Sequence, residues 1–535
     1  MSSLELELRE KLNVTADPTR SPIERLRHLF AFWQHFTLHR RKCDKTDKDL
    51  ISVFAPSCPY PVWNRAVWLE DTARPSAEVN LSKPVFEQFW ELFRRCPIPH
   101  NTGLSNENCD YTDDWWNSKN CYLSHSGLNC QDLHYCYRTF ECKDCRYCVF
   151  SFNSEKCSDL LNCHTCTSVN YAYNCRNCVE SAFLFDCRNC SDCLMCWNLR
   201  NKRYCIRNNE YSAKDYATER AKYDFNSRKT YCAFVEEFER VIQTDAWWRG
   251  VEADKCEESS GAYIENTKRC ENCYLMSECQ DCINVSRALE LKDALDAVGS
   301  GKSERVANSS LVWENCVDIY NSFHITSCVD LEYCGFCHKC KHCFGCCSLI
   351  DKEYYILNKE YSKEDYFKLV AKLKEKIRNE RLEGQFFPAH FSPCPYDESL
   401  AGFFLPLSIQ EQSTLGFRSS EPTEQRRAEY LPSTNIPDTV QEAPEILTQQ
   451  RFWDEISKKP FQITKFDIKF SRDNVVPLPE QYYIRRIQDH CRWMFYNGTL
   501  RETRCAKNNE TLFTHLPSKL DSRILSQSEY EKLLY

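Results

Sequence analysis

Two runs of four cysteines, each with a spacing of three residues, are the side chains best placed to do chemistry. They are Cys187, Cys190, Cys193 and Cys196 in the first run, and Cys334, Cys337, Cys340 and Cys343 in the second. Such a ring of thiolates could hold Zn²⁺, Cu⁺ or an iron–sulfur cluster. The competing interpretation is that these cysteines are small apolar side chains that fill a core. We favour this second interpretation, because neither run has the CxxxCP ending of bacterial cluster motifs.

The two runs belong to a wider pattern with a period of three. Between Cys109 and Cys205 every gap between neighbouring cysteines is twelve, nine, six or three residues. Neither an α-helix, with a period of 3.6, nor an ordinary strand, with a period of 2, produces this spacing. The pattern predicts a narrow β-solenoid in which one position in three points inward.

A twelve-residue unit is visible within this pattern and predicts the length of one coil. Residues 162–173, 174–185 and 186–197 align, which places short polar side chains in one column where they suit a corner: Asn162, Asn174, Asp186 and Asn198. Large side chains fall outside the inward register. From these we predict an exposed surface for partner proteins at Tyr171, Phe183 and Phe185.

The chain also carries an internal duplication. A shift of 150 residues superposes six cysteines between Cys166 and Cys196 on six between Cys316 and Cys346 without a gap. After each array comes a predicted helix with an N-cap serine, Ser212 or Ser362. We expect two tandem solenoids whose coil ends are capped by these helices.

Composition and the flanking segments bound the remaining possibilities. The net charge of −8 argues against a broad nucleic-acid surface, and no apolar run is long enough for a membrane helix. The first residues resemble neither a signal nor a transit peptide, so we expect an intracellular protein or one within a virus particle.

Near the N-terminus, Ser21 and Glu24 form a predicted capping box for a helix to about Arg40, and a second helix follows Ser82. A short helix is expected within the insert 286–312, and another near 479–496.

These features predict five regions. They are N-terminal helices with a small domain (1–100), a first solenoid with its helix (101–250), a second solenoid with its helix (251–383), an extended or partly disordered arm (384–450) and a C-terminal domain (451–535).

The layout resembles an uncharacterised group of cysteine-rich repeat proteins, known from bacteria with reduced genomes, in which cysteine solenoids are flanked by zinc ribbons. The resemblance rests on residues 41–44, 51–56, 61–63, 356–366 and 459–463. It implies a mainly β fold with small, degenerate ribbon-like α+β domains at both ends.

The resemblance also implies where the ribbon ligands would fall. These positions are 21 and 24, 43 and 46, 64 and 67, 505 and 508, and 526 and 529, and among them only Cys43 and Cys505 are cysteines. A structural zinc site needs four good ligands, so we expect these domains to be metal-free.

Three functions remain open on the sequence alone. We favour a non-catalytic scaffold that binds other subunits of a large assembly, such as a minor capsid or cement-like virion protein, and that needs no cofactor. The first alternative is a protein that binds metal through cysteine thiolates, and the second is a nucleic-acid-associated relative of zinc ribbons. Catalysis has the least support, since the histidines, among them His164, His324, His338 and His342, are scattered and no catalytic motif occurs.

Overall fold

A computed structural model describes the chain except for residues 1, 16–19, 36, 149–157, 252, 272, 284–293, 300–303, 422–426, 494–499 and 534–535. The fold is mainly β and contains a β-solenoid of about 18 turns together with several helices. The predicted solenoid is therefore confirmed.

Parallel strands, each paired with the next coil, build the solenoid. The first set runs Gly103–Leu104, Asp113–Trp116, His125–Leu128, Tyr137–Phe140, Ser158–Leu161, Thr167–Tyr173, Val179–Phe185, Ser191–Trp197 and Arg203–Ile206, and Asn209–Glu210 then pairs antiparallel. The second set runs Ala253–Asp254, Gly261–Lys268, Cys273–Gln280, Glu304–Ala307, Ser310–Trp313, Val317–Tyr320, Phe323–Thr326, Val329–Glu332, Lys341–Phe344 and Glu353–Ile356, and it ends in the antiparallel Lys359–Glu360. Both sets thus close with a short hairpin.

The repeat length is twelve residues in the regular coils, as predicted. Val179 pairs with Ser191 and Ala182 with Leu194, which is a register of twelve. The second set is less regular, because Glu304 pairs with Val317 and Ala253 with Ile264. The extra residue in the longer coil falls at Glu314 and Asn315, two consecutive residues with positive φ.

Left-handed backbone turns the chain at each corner of a coil. In the coil 174–185 the four corners are Asn174, Asn177, Glu180 and Phe183, with φ between 46° and 56°. Each precedes an inward side chain, which explains the period of three. Asparagine tolerates this conformation and suits a corner, whereas for a bulky residue such as Phe183 it is rare.

Helices cover the solenoid and join its parts. They are Ser3–Leu12, Pro22–Phe30, Arg65–Glu70, Val85–Phe93, Ala213–Arg220, Arg228–Thr244, Lys363–Asn379, Leu400–Phe404, Ile409–Thr414, Lys465–Asp473, Tyr483–Cys491 and Gln527–Glu531, with 3₁₀ turns at Ala389–Phe391, Tyr396–Glu398, Ser433–Asn435, Val440–Glu442, Glu445–Gln449 and Ser518–Arg523. As predicted, Ser212 and Ser362 cap the helices that follow the two strand sets, each accepting from the backbone N–H three residues later.

Short strands outside the solenoid form small separate sheets. They are His39–Lys42 with Asp49–Ser52, Val62–Trp63 with Ile98–Pro99, Trp248–Arg249 with Ile524–Leu525, Leu431–Pro432 with Phe452–Asp454 and Lys459–Phe461, and Arg501–Arg504 with Thr511–Thr514. The pairing of Trp248 with Ile524 ties the C-terminal segment to the end of the first strand set.

Three expectations about the flanking segments need correction or fall outside the described chain. The capping box at Ser21 is present, but its helix ends at Phe30, because Phe32 and Trp33 turn into a buried cluster and a strand begins at His39. In the arm 384–450, aromatic side chains such as Phe387 pack in the core with the N-terminal helices, so this part of the arm does not extend away from the fold. The short helix predicted in the insert falls largely on residues 284–293, outside the described residues.

Candidate functional site

The interior of the coils is lined by thiols that are closed off from solvent. Each of the eight cysteines in the two runs is at most 1% exposed. All cysteines in the described chain are free, so the interior holds thiols rather than disulfides in this structure.

Many inward thiols share members of a recurring set of hydrogen bonds to the backbone. Cys328 shows it fully: its Sγ–H lies 3.2 Å from the Thr326 carbonyl and 3.5 Å from that of Cys337. The same sulfur accepts the N–H of Cys340, twelve residues later, at 3.2 Å. The thiol therefore joins two successive coils and supplies the acceptor for the Cys340 N–H, which a hydrocarbon side chain would leave unpaired, whereas the two carbonyls also accept backbone N–H groups of Lys339 and Thr326.

Serine makes the same contacts at other inward positions. Ser322 Oγ donates to the Tyr320 carbonyl at 2.8 Å and accepts the N–H of Cys334, also twelve residues later, at 3.0 Å. Ser181 does likewise with Val179 and Cys193. Cysteine and serine thus make equivalent backbone contacts at inward positions, beside apolar side chains such as Leu184 and Leu331 in the same interior. The serines among the inward positions were the sequence signal for this role, and the sequence reasoning did not use it.

Burial raises the pKa of several interior thiols, whereas hydrogen bonds from neighbouring thiols lower the pKa of others, to about 5 for Cys166 and Cys346. Removal from water raises the pKa of Cys130 and of Cys316 to about 12, and it raises the pKa of Cys187 and Cys334 well above the usual value for a thiol. A protonated thiol is a hydrogen-bond donor and a poor metal ligand or nucleophile. This protonation state matches the observed contacts with carbonyl oxygens.

The geometry lends the predicted metal sites no support. Across the described residues, no three or more His, Cys, Asp or Glu side chains are arranged so that they could hold a metal ion. In the first run the four thiols face backbone carbonyls: Phe185 for Cys187, Arg188 for Cys190, Ser191 for Cys193 and Leu194 for Cys196, at 3.3–3.5 Å. Cys334, Cys337, Cys340 and Cys343 in the second run make the equivalent contacts.

The aromatic column predicted as a partner surface is covered by the chain itself. Phe183 is fully buried beneath the helix Arg228–Thr244, where Phe234 and Phe238 approach its ring to 5.4 and 6.3 Å. Phe185 packs on Trp248 at 4.6 Å, and Tyr171 keeps partial exposure beside Phe238. The expectation of an exposed surface is therefore wrong for Phe183, which the helix Arg228–Thr244 covers, and for Phe185, which packs against Trp248.

Cys43 lies in a tight turn and contacts Asn64, which occupies a position that the resemblance marks as a ribbon ligand. Asn64 N–H donates to Cys43 Sγ at 3.3 Å, and further N–H and hydroxyl donors from Lys45 and Thr46 point at the same sulfur. Although burial opposes it, these donors together lower the pKa of the Cys43 thiol.

Cys505 stands in a matching turn after the strand Arg501–Arg504. Backbone N–H groups of Asn508, Lys507 and Ser526 donate to its sulfur, and these donors lower its pKa against the opposing effect of burial. Asn508 Nδ2 lies 3.3 Å from Ser526 Oγ, so positions 505, 508 and 526 meet in space. Ser21 and Glu24 instead form the helix-capping box described above.

The histidines considered for catalysis are engaged outside the thiol-lined interior. His324 stacks on Phe336 at 4.3 Å and contacts the Phe32 carbonyl, and burial lowers its pKa to about 4. His342 stacks on Tyr354 and lies 2.7 Å from Asp330. His338 is half-buried, and this burial lowers its pKa.

Among the described helices, none combines the length and the apolar character that crossing a bilayer requires. Comparison of the sequence with known protein families and with curated proteins gives no match.

Proposed function

We propose that the chain is a non-catalytic scaffold that contributes shape and contact surface to a large assembly, for example as a minor capsid or cement-like virion protein. The observation that carries this proposal is the hydrogen-bonding role of the inward thiols. Side chains that satisfy backbone groups between coils stabilise a long, narrow body, and this role accounts for the cysteine pattern without metal chemistry.

The contacts between distant parts of the chain support a rigid body. Trp116 of the first strand set stacks on Trp313 of the second, with ring centroids 5.3 Å apart. On the opposite side, Tyr530 near the C-terminus donates to the buried Asp186 carboxylate at 2.7 Å, and Arg200 pairs with the same carboxylate at 2.8 Å. Buried, charge-assisted contacts of this kind hold segments in one geometry.

In this proposal the two strand sets act as tandem solenoids, and the helices Ala213–Arg220 and Lys363–Asn379 cap their ends. Tyr204 packs on Tyr216 and Tyr354 on Tyr366, each pair at 5.7 Å, so the two helices dock in the same way on equivalent final coils. Covered ends would keep the solenoids from adding further coils or aggregating.

Thiolate metal binding is the second candidate, and one observation favours it. Cys340 contacts the thiols of Cys328, Cys337 and Cys343, whose hydrogen bonds lower its pKa. A thiolate with sulfur neighbours is a soft site of the kind that Cu⁺ prefers.

The test is isolation of the tagged full-length chain from its native source under reducing conditions, with mass photometry and metal analysis of the same sample. The scaffold proposal expects a particle much larger than the 63.2 kDa chain, with partners at a fixed ratio and no stoichiometric metal. A 63.2 kDa species that carries stoichiometric copper, zinc or iron would replace this proposal with the second candidate.

A further inference from the structure

A cavity of about 470 Å³ lies where four distant segments of the chain meet. The strand His39–Lys42 contributes Arg40, the first strand set contributes Tyr122 and Tyr135, and the arm contributes Arg427, while the C-terminal region adds Arg451, Tyr482 and Arg486. Its volume lies within the range of small-molecule sites in proteins. We name it the arginine cavity.

The charge of the arginine cavity is opposite to that of the chain. Four arginines line it and none of its lining residues is a carboxylate, although acidic residues exceed basic ones over the whole sequence, 77 to 69. The nearby Asp467 is fully buried, where it accepts from the Tyr135 hydroxyl at 3.0 Å and from Thr464. That carboxylate is therefore sealed beneath the wall and is not presented to the cavity.

The arginines divide into a fixed one and exposed ones. Arg486 is held by the Gln481 carbonyl at 2.6 Å and lies over the Tyr135 ring at 5.0 Å. Arg40 and Arg451 are exposed, and within the described chain neither has a carboxylate within ion-pair distance. Arg427 makes a long, exposed pair with Glu429 at 3.9 Å. Several guanidinium groups that face one space repel each other, and a bound anion would relieve that repulsion.

Aromatic rings line the arginine cavity beside the guanidinium groups. Tyr122 and Tyr482 are half-buried in the wall, whereas Tyr135, Tyr430, Phe461 and Tyr483 are buried behind them. Arginine beside tyrosine is the combination that binds phosphate and stacks a planar base.

We propose that the arginine cavity binds a phosphorylated nucleoside, with Arg40, Arg451 and Arg486 facing the phosphate and a tyrosine ring stacking on the base. The ligand could be a free nucleotide or the phosphorylated end of a single strand, since both present the same chemistry. A single site of this size is compatible with the acidic net charge, because recognition is confined to one cavity.

The test is isothermal titration of the full-length protein with AMP, adenosine, inorganic phosphate and a short 5′-phosphorylated single-stranded oligonucleotide. We expect saturable binding of AMP that is tighter than that of adenosine or phosphate and that weakens as salt is raised. The double variant Arg40→Gln with Arg451→Gln should weaken AMP binding by about tenfold or more. Arg203→Gln is the matched control, since Arg203 is an exposed arginine away from the cavity that pairs with Asp192.

Circular dichroism and the melting temperature establish that each variant is folded before titration. Tighter binding of the oligonucleotide than of AMP supports the proposal with a nucleic-acid end as ligand, and the reverse order supports it with a free nucleotide. Absence of saturable AMP binding to the folded protein, or equal affinity in the double variant and the Arg203 control, would overturn it.

Discussion

Replacement of a single interior thiol by serine and by alanine separates a hydrogen-bonding role from a filling role. Cys328 suits this experiment because it is fully buried and makes three backbone contacts, to Thr326, Cys337 and Cys340. Serine can repeat two of them, the bond to the carbonyl two residues earlier and the bond from the N–H twelve residues later, as Ser322 does in the same set of coils. Alanine removes both the donor and the acceptor.

The expected magnitude follows from the groups left unpaired. In Cys328→Ala the Cys340 N–H loses its acceptor inside the solenoid, which costs about 1–3 kcal/mol, and the lost sulfur leaves a small cavity as well. We therefore expect a loss of about 2 kcal/mol for alanine and of less than about 1 kcal/mol for serine. At about 1.4 kcal/mol per factor of ten, alanine should speed local opening by about 30-fold.

Hydrogen–deuterium exchange of peptides that contain the Cys340 amide measures this opening directly, because interior amides exchange only when the coil opens. Lys341→Ala is the matched control, since this side chain is exposed in the same coil. Equal exchange in the alanine variant and in the wild type would refute the hydrogen-bonding account. So would a serine variant that opens as readily as the alanine variant.

Three further predictions test the register, a buried histidine and the C-terminal contact. Cys178→Asp should unfold the coils, since an uncompensated buried charge costs about 3–5 kcal/mol. Val179→Asp, at a neighbouring side chain that is 40% exposed, should be tolerated. Equal melting temperatures of the two variants would contradict the prediction that one position in three points inward. Burial holds the pKa of His324 near 4, below about 6.5 in the unfolded chain, so its stabilising contribution is complete above pH 6.5 and is lost as the pH falls toward 4. Melting curves should therefore show a smaller loss of stability between pH 7 and pH 5 in His324→Gln than in the wild type, and identical losses would contradict the assignment. Tyr530→Phe removes the hydroxyl that donates to Asp186 and should raise proteolysis of the C-terminal segment, with Tyr111→Phe, at a tyrosine that is 46% exposed, as control; unchanged cleavage would show that this contact does not hold the segment.

The periodic part of the chain could be predicted from sequence because each coil repeats the same pattern of inward and corner residues. The spacing of Cys175, Cys178 and their neighbours gave the inward register, and the polar column at Asn174 and Asp186 gave one corner of each coil. The other corners were harder to predict. Phe183 has an aromatic side chain that rarely takes a left-handed conformation, so its residue type carried no signal for a turn.

Contacts between distant segments carried no periodic signal at all. The burial of Phe183 under the helix Arg228–Thr244 depends on where that helix folds back, which its own amphipathic pattern does not specify. Likewise, Arg40 and Arg451 face one cavity only because the arm and the C-terminal region wrap around the first strand set. Sequence therefore indicated the scaffold, while the candidate ligand site required the tertiary structure.

Intact-mass measurement of the full-length protein under native, reducing conditions, after expression in medium supplied with zinc, copper and iron, tests most directly whether the inward thiols serve the fold. The account predicts the mass of the polypeptide alone and, after unfolding, alkylation of all 37 cysteines. A stoichiometric increase in native mass that corresponds to metal, and that disappears in Cys193→Ser or Cys340→Ser, would contradict it.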